Sequence, residues 1–460
     1  MLLVMLVFAP WAFGSTRLWA IDWLNRGLAV ALFLRLLAFP FGGIGRFRNL
    51  PRLLVIVVAA VLLLGWWMTW NARAVYDAGA AVFAPVKVPV PFAAGAVDAI
   101  MAEAAMIRIT CLLGVLFLIW ELADDAGWRR RIWTTVALTG ASIAALGVWQ
   151  RAAGAPTIFW EDPAARGSDS YVKSFFATFY YHANAGAFLN LCLPVAAAGL
   201  LRALSRRTPP LELTIWIGAV VAFVLASVIN TSRAGQIIAA TLTLVVLAWP
   251  ARGLLKFTWS RQRRTFAWTI GSVGLLLAVV LLAVGLQVQI GRWQQTAQQL
   301  GTGTLLGTRL LAQQAALHAV PDAGLCGFGP GCFEVMFPYY TLYLGNRIDG
   351  IWRYLHADYV QTLLEWGILG TIMWSVIFFG GILRGIRAYC ARDAEANSQQ
   401  NLFLPAILLA LAGVAIHALI DFPLQIASIQ LYVAVYLGLC WGWTATAAPR
   451  VRRQRETLAS

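Results

Sequence analysis

Long apolar runs recur along the whole chain and limit its fold more than any other feature. A membrane-crossing helix needs about 20 mostly apolar residues to cover roughly 30 Å of hydrocarbon. Apolar residues make up 60% of the sequence and charged residues only 12%, which is typical of a polytopic membrane protein rather than a soluble domain. We therefore predict an all-α protein with one integral membrane domain over residues 1–460 and about twelve transmembrane helices, near 1–14, 27–41, 53–70, 104–123, 132–150, 182–201, 213–230, 234–250, 266–288, 357–383, 402–420 and 424–445.

The charge pattern predicts the orientation of these helices. The net charge is +15, which in a soluble protein would suggest nucleic acid as a partner. If the N-terminus is cytoplasmic, however, most Lys and Arg residues fall in the short cytoplasmic loops, such as 129–131, and in the basic tail 446–460. This asymmetry is the positive-inside pattern. It predicts a membrane protein with both termini in the cytoplasm and no nucleic-acid partner. Because no Lys or Arg precedes the first run, we favour a retained helix there over a signal peptide.

One outer segment, residues 289–355, is far longer than an ordinary connection and predicts a functional outer loop between helices 9 and 10. Thr308 is a suitable N-cap for an amphipathic helix that we expect to stop at Pro321. The turn GFGPG follows, flanked by Cys326 and Cys332. These two cysteines either form a disulfide across the turn or remain free thiols. The aromatic run after them suits a membrane-surface belt, sugar stacking, or both.

His356 introduces a titratable group at the outer end of the tenth run. Helical spacing places it on one stripe with Tyr359, Leu363 and Gly367, and the glycine would let a neighbouring helix approach closely. The dipole at a helix N-terminus disfavours imidazolium, so the ring stays neutral and able to accept a proton. One interpretation is a general base. The other is an interfacial histidine that only bonds a lipid headgroup or a carbonyl.

Two arginines share this membrane face. Arg233 follows Asn230, Thr231 and Ser232 at the outer start of a run, and Arg309 lies in the first turn of the outer-loop helix. Each is either a boundary arginine that reaches toward water or a ligand for phosphate, because guanidinium groups neutralise a departing diphosphate. The acids of the outer loops form no D-x-D pair, so we predict no metal and no cofactor.

These residues resemble the O-antigen ligase and polymerase superfamily of bacterial inner-membrane glycosyltransferases. The resemblance is carried by the stretch from His356 to Gly367, by GFGPGCF and the Arg309 helix before it, by FATFYYHANAGAFLNLCLP at 176–194 and by TSRAG at 231–235. In motif terms it covers about residues 170–380. The combination is fairly specific, although each piece alone would be weak.

The resemblance implies a GT-C-like, metal-independent enzyme that transfers a glycan from undecaprenyl diphosphate to an acceptor glycan or glycolipid at the periplasmic face. His356 would be its essential histidine, and Arg233 and Arg309 its two diphosphate-binding arginines. Many relatives carry Asn or Ser where this chain has Ala357, so that auxiliary hydrogen bond is either missing or comes from Asp358. Three further residues are candidate substrate contacts with ordinary structural roles as alternatives: His182, Asn184 and Asp421.

Several functions fit this sequence. The one we predict is an inverting ligase that acts on an acceptor such as lipid A-core, and a polymerase that extends a like chain shares the same motifs. A protein-directed oligosaccharyltransferase is less favoured because no large C-terminal soluble domain is present. A transporter would show symmetric halves and broken helices at the midplane, whereas the candidate residues gather at one face. A non-catalytic scaffold among polysaccharide-assembly proteins leaves the recurrence of Arg, Arg and His unexplained.

Overall fold

A computed structural model describes residues 1–38, 50–77, 79–80, 82–162, 175–205, 208–254, 307–348, 352–391 and 402–443, with isolated positions 272, 294 and 298. Within them the chain is mainly helical, with one short antiparallel hairpin, β1 (Ala74–Asp77) and β2 (Val82–Pro85). The helices are α1 (Leu2–Trp11), α2 (Leu18–Leu37), α3 (Arg52–Trp70), α4 (Ala99–Leu122), α5 (Ala126–Ala152), α6 (His182–Ser205), α7 (Pro210–Ile229), α8 (Arg233–Leu254), α9 (Gly307–Ala323), α10 (Phe333–Thr341), α11 (Asp358–Cys390), α12 (Phe403–His417) and α13 (Ala427–Gly442).

The prediction of a helical membrane protein is confirmed, and six of the described helices, α3 to α7 and α11, are long and apolar enough to cross a membrane. Shorter apolar helices occur at α1, at the start of α8, and at α12 and α13. The predicted span 266–288 and the beginning of the 289–355 loop lie outside the described residues apart from positions 272, 294 and 298. The total of twelve spans therefore stays a prediction.

Helix α13 lies at the centre of the bundle. All of its residues are buried except Gln430. Its two tyrosine hydroxyls donate to backbone carbonyls of two other helices, Tyr432 to Leu6 of α1 at 2.9 Å and Tyr436 to Leu191 of α6 at 2.8 Å. Against α4 the packing is so close that a Cβ on Gly438 would stand 2.6 Å from the carbonyl oxygen of Leu116. With Gly442 one turn later, this is the small-residue spacing that lets two membrane helices touch along their backbones.

The end of the bundle where α11 begins, which the charge pattern predicts to face outward, is hereafter the outer end. Asp98 organises part of it, because one carboxylate oxygen caps α4 at the Met101 amide (2.7 Å) and the other accepts from the Tyr76 amide of the hairpin (2.6 Å). Helix α9 ends at Ala323 rather than at the predicted Pro321, which lies within its last turn.

Helix α11 is interrupted at Gly367, whose backbone has φ 62° and ψ −169°. At this break the turn 324–331 inserts its own backbone: the Phe328 amide donates to the Leu364 carbonyl at 2.8 Å, and the Leu369 amide donates to the Leu325 carbonyl at 3.0 Å. The expectation that a neighbouring helix packs at Gly367 was therefore wrong, because the partner there is a turn. Non-helical backbone at such a depth is tolerated where protein satisfies its hydrogen bonds.

The possible disulfide between Cys326 and Cys332 is not formed, and both residues are free thiols. The Cys332 sulfur instead donates to the Asp98 carbonyl at 3.5 Å. Burial raises the pKa of Cys332 to about 12. The turn is held by its backbone contacts with α11, so it needs no covalent closure.

Candidate active site

His356 lies outside α11, whereas the sequence spacing predicted it in the first turn of that helix. Ala357 has extended backbone at φ −169° and separates the histidine from the helix, which begins at Asp358. The helical stripe proposed for His356 therefore does not apply. Its carbonyl accepts a hydrogen bond from the Gln313 side chain of α9 at 2.8 Å. The edge of its ring meets Phe422 at 4.9 Å and Trp352 at 5.6 Å between centroids.

The partner of His356 is Asp421, from the loop between α12 and α13. The ring Nδ1 lies 3.0 Å from Asp421 Oδ1, and the two side chains are 17% and 4% exposed. The same oxygen accepts from the Phe422 amide at 3.0 Å. The sequence interpretation left the auxiliary bond either missing or supplied by Asp358, whereas in the structure His356 bonds Asp421.

Asp421 fixes the tautomer of the histidine. Burial acts to raise the pKa of this carboxyl, but the hydrogen bond from His356 and the positive charge of Arg309 act to lower it, and the pKa lies below its ordinary value. The group is therefore an ionised acceptor at neutral pH, and Nδ1 must carry the proton between them. Nε2 then presents a lone pair, with no hydrogen bond to any residue that the structure describes.

Asp358 holds the loop that carries Asp421. Its two carboxylate oxygens accept from the Leu424 amide at 2.8 Å and from the Gln425 side chain at 3.0 Å. Its own amide donates to the Ala418 carbonyl at 2.9 Å. Both oxygens thus have protein partners, so Asp358 anchors this loop, and its role as a substrate contact stays a prediction.

Arg309 joins this group through a tyrosine that the sequence analysis missed. Arg309 Nη2 donates to the Tyr181 hydroxyl at 2.6 Å, and that hydroxyl donates to Asp421 Oδ2 at 3.2 Å. The direct separation from Arg309 Nη1 to Asp421 Oδ2 is 3.9 Å, and the arginine side chain is 38% exposed. We call Tyr181, Arg309, His356 and Asp421 the His356 cluster. The only sequence signal for Tyr181 was its position in the motif FYYHAN, directly before a span.

Arg233, His182 and Asn184 lie on the neighbouring helices α6 and α8. Arg233 is half-buried at the start of α8, where the Ser232 hydroxyl accepts from the Gly235 amide at 3.1 Å. Asn230 ties the two helices together by donating to the His182 carbonyl at 3.0 Å. The His182 ring stands 4.8 Å from the ring of Tyr181. His182 therefore contacts the His356 cluster through Tyr181.

Asn184 is buried, and its Oδ1 has no hydrogen-bond partner among the described residues. Its neighbourhood is tightly packed, since a Cβ added to Gly186 on the same helix would stand 3.3 Å from the Cα of Gly235 in α8. Asn184 therefore remains a candidate contact, although its position is internal.

A cavity of about 200 Å³ lies between α4, α11 and α13, and Asp358 and its loop contacts Leu424 and Gln425 are among the residues that line it. Asp358, Thr362 and Gln425 line the end nearest the His356 cluster, and apolar residues such as Leu116 and Leu437 line the deeper part. The lining thus combines a polar end with a mainly apolar remainder, and an amphiphilic molecule has the same distribution of polarity. Arg108 and Glu365 both face this cavity, but Glu365 bonds Gln361 and the Gly331 amide, and the described residues include no ion pair between the two.

The His356 cluster contains the parts of a base-assisted transfer. An ionised carboxylate orients the imidazole, whose second nitrogen is open to a proton, and a partly exposed guanidinium lies beside it for an anion. Within the described ranges no group of three or more His, Cys, Asp or Glu side chains is arranged to hold a metal ion.

Comparison with known proteins identifies a family whose sequence model matches part of this chain. Residues 218–375 match the Wzy_C family model, described as O-antigen ligase. The matched segment contains Arg233, Arg309, the inserted turn 324–331 and His356, whereas Tyr181 and Asp421 lie outside it. No curated protein matches the sequence. The match and the convergence of its residues on one end of a membrane bundle support one conclusion: residues 218–375 form a segment similar to the O-antigen ligase family.

Proposed function

We propose that the protein is a glycosyltransferase that moves a glycan from undecaprenyl diphosphate to an acceptor hydroxyl at the periplasmic face of the inner membrane. The observation that carries this proposal is the hydrogen bond of 3.0 Å from His356 to Asp421, with Arg309 connected to the same carboxylate through Tyr181. Three segments that are distant in sequence supply a base, its orienting acid and a cation for an anionic leaving group. A transporter or scaffold has no need of a histidine oriented in this way.

The leaving group is a diphosphate in this proposal. Arg309 offers it the exposed part of its guanidinium, and Arg233, at the N-terminus of α8, adds a second guanidinium beside the positive end of the helix dipole. Helix N-termini and arginine forks are the usual protein ligands for phosphate groups. The cavity between α4, α11 and α13 favours amphiphilic substrates, because polar side chains such as Asp358 and Thr362 line it together with apolar ones such as Leu116 and Leu437.

The reaction is a single displacement. His356 Nε2 accepts the proton of the acceptor hydroxyl while that oxygen bonds to the anomeric carbon. The bond from this carbon to the diphosphate oxygen breaks, and the electron pair leaves with the diphosphate. Asp421 stabilises the imidazolium that forms, since its carboxylate receives the Nδ1–H bond. Attack opposite the leaving group inverts the anomeric configuration.

The test is transfer by the purified full-length protein from an undecaprenyl-diphosphate oligosaccharide, measured with and without EDTA. We expect product from wild type and a loss of about 10²- to 10⁴-fold in His356→Ala, which is the usual contribution of general base catalysis. Equal rates would remove His356 as the base. A product with retained configuration would exclude the single displacement, and product formation that stops with EDTA would exclude metal independence.

The acceptor defines the finer activity. Lipid A-core and additional donor are offered in parallel reactions. We expect transfer to lipid A-core, as the ligase assignment requires, whereas extension of the donor chain alone would make the protein a polymerase. No product with either acceptor, together with export of glycan unchanged by His356→Ala in cells, would support a transporter or a scaffold instead.

A further inference from the structure

Tyr181 separates two opposite charges that would otherwise meet. Its hydroxyl accepts from Arg309 Nη2 at 2.6 Å and donates to Asp421 Oδ2 at 3.2 Å. The guanidinium itself comes no closer to that oxygen than 3.9 Å. The hydrogen bonds therefore run from the arginine to the phenol and from the phenol to the carboxylate, and each has one donor and one acceptor.

The phenol can hold this position because its ring is fixed on several sides. Phe422 stacks on it at 5.4 Å with an interplanar angle of 9°, and His356 meets it edge-on at 6.0 Å. Burial, reinforced by the charge of Asp421 and opposed by that of Arg309, raises the pKa of Tyr181 above its ordinary value. The hydroxyl thus keeps its proton and remains both donor and acceptor.

Removing the hydroxyl would leave a mobile guanidinium next to a nearly buried carboxylate. Such groups attract strongly where water is scarce, and arginine and carboxylate favour a two-bond pairing. In that pairing the guanidinium would turn toward Asp421 and away from the open side of the site. A diphosphate would then have to compete with Asp421 for the same cation.

We infer that Tyr181 is a positioning residue whose hydroxyl holds Arg309 apart from Asp421, so that the guanidinium stays available to the donor diphosphate and the carboxylate stays with His356. This inference rests on the proposed function, because it assigns Arg309 the same ligand. It adds a residue outside the segment that matches the family model.

The test measures the dissociation constant of the undecaprenyl-diphosphate oligosaccharide and its transfer kinetics. The variants are Tyr181→Phe, Asp421→Asn and the double variant, each as the full chain in detergent. Tyr181→Phe retains the stacked ring. The matched control is Tyr180→Phe, which removes the neighbouring hydroxyl, bonded to Glu161 and not to the His356 cluster.

In wild-type background we expect Tyr181→Phe to weaken donor binding about tenfold, the effect of one competing charge-assisted contact. The donor KM should rise by a similar factor, and kcat at saturating donor should fall less. In the Asp421→Asn background, where the competing charge is gone, Tyr181→Phe should change donor binding by less than about twofold. Tyr180→Phe should bind donor as wild type does.

An equal loss of binding from Tyr181→Phe in both backgrounds would overturn the inference, since the phenol would then act through direct contact or general packing. Unchanged binding in the single variant would overturn it as well. Both results leave wild-type binding and transfer intact, and so leave the proposed function standing. Failure of wild type to bind the donor would instead overturn the proposed function and, with it, this role.

Discussion

Two groups of buried polar residues lie at the outer end of α11, and they differ in what their side chains bind. In the His356 cluster, side chains bond mainly to one another, and reactive atoms of His356 and Arg309 stay open. In the second group, here the anchor cluster, Asp358 and Glu365 bind backbone amides and glutamines. The Leu424 and Gly331 amides donate to them at 2.8 and 3.1 Å, and Gln425 and Gln361 at 3.0 Å each.

The difference shows how one residue type takes two roles in one site. A carboxylate whose oxygens are all occupied by amides fastens loops together, and its effect is stability. Asp421 is also well bonded, but one of its donors is the imidazole of His356, whose Nε2 has no partner among the described residues. Asp421 therefore affects how readily that nitrogen accepts a proton. The anchor cluster thus holds the loop from which Asp421 reaches His356.

The largest expected effect comes from Asp421→Asn. The new amide can donate to Nδ1 and so stabilise the tautomer that carries its proton on Nε2, where a base needs a lone pair. In a serine protease the corresponding change lowers kcat about 10⁴-fold. We expect a fall of about 10³- to 10⁴-fold here, measured as the initial rate at saturating donor, with donor binding retained.

Asp358→Asn is the matched control from the anchor cluster. It leaves the bond between His356 and Asp421 in place and weakens the hold on residues 424–425, which should lower the free energy of unfolding by about 1–3 kcal/mol. The midpoint of thermal unfolding in detergent should fall more than in Asp421→Asn, while transfer at low temperature stays within about tenfold of wild type. If the two variants lost rate and stability in the same proportion, the two clusters would have one role and not two.

The site was predictable in part. His356 and Arg309 could be chosen from sequence because each lies near the outer start of a predicted helix, where its side chain needs a reason, and because both fall in the motifs that resemble the family. Asp421 and Tyr181 could not be placed, since they are 65 residues from His356 and 128 from Arg309, respectively. Only the folded bundle brings those segments together. An Asp directly after an apolar run is the same pattern whether it caps a helix or orients a base.

The fold divides in a similar way. Hydropathy predicted where α11 lies, because burial in lipid acts on whole runs of apolar residues. It did not predict the interruption at Gly367, since a glycine in an apolar run usually marks close helix packing. The glycine-rich turn 324–331 that fills the interruption was recognised as a motif, but its partner depends on contacts across the bundle.

Gly367→Ala tests whether the anchor cluster depends on that interruption. The residue has φ +62°, and an added Cβ would stand 2.4 Å from the backbone carbon and oxygen of Leu325. Either α11 or the inserted turn must shift, and the strained backbone alone costs about 1–3 kcal/mol. We expect a clear fall in the free energy of unfolding, and this fall should be larger than the accompanying loss of binding free energy for the donor.

The control for this variant is Gly218→Ala. Gly218 lies in α7 with no atom within 4 Å of an added Cβ, so the substitution should leave stability unchanged or raise it by up to about 1 kcal/mol. Equal unfolding midpoints for Gly367→Ala and Gly218→Ala would mean that the turn does not depend on this glycine.

The smallest effect concerns Cys332, which is buried beside the anchor cluster with its pKa raised to about 12 by burial. Because a raised pKa favours the protonated form, the reactive thiolate should stay scarce up to about pH 9, whereas an ordinary cysteine is largely thiolate there. Iodoacetamide at about pH 8.5 should therefore label the partly exposed Cys326 and leave Cys332 unlabelled in the native protein. After denaturation without reductant both should react, which mass spectrometry of the peptides would show. Labelling of neither cysteine until a reductant is added would mean a disulfide, and rapid labelling of Cys332 in the native protein would mean that the anchor cluster opens to water as the His356 cluster does.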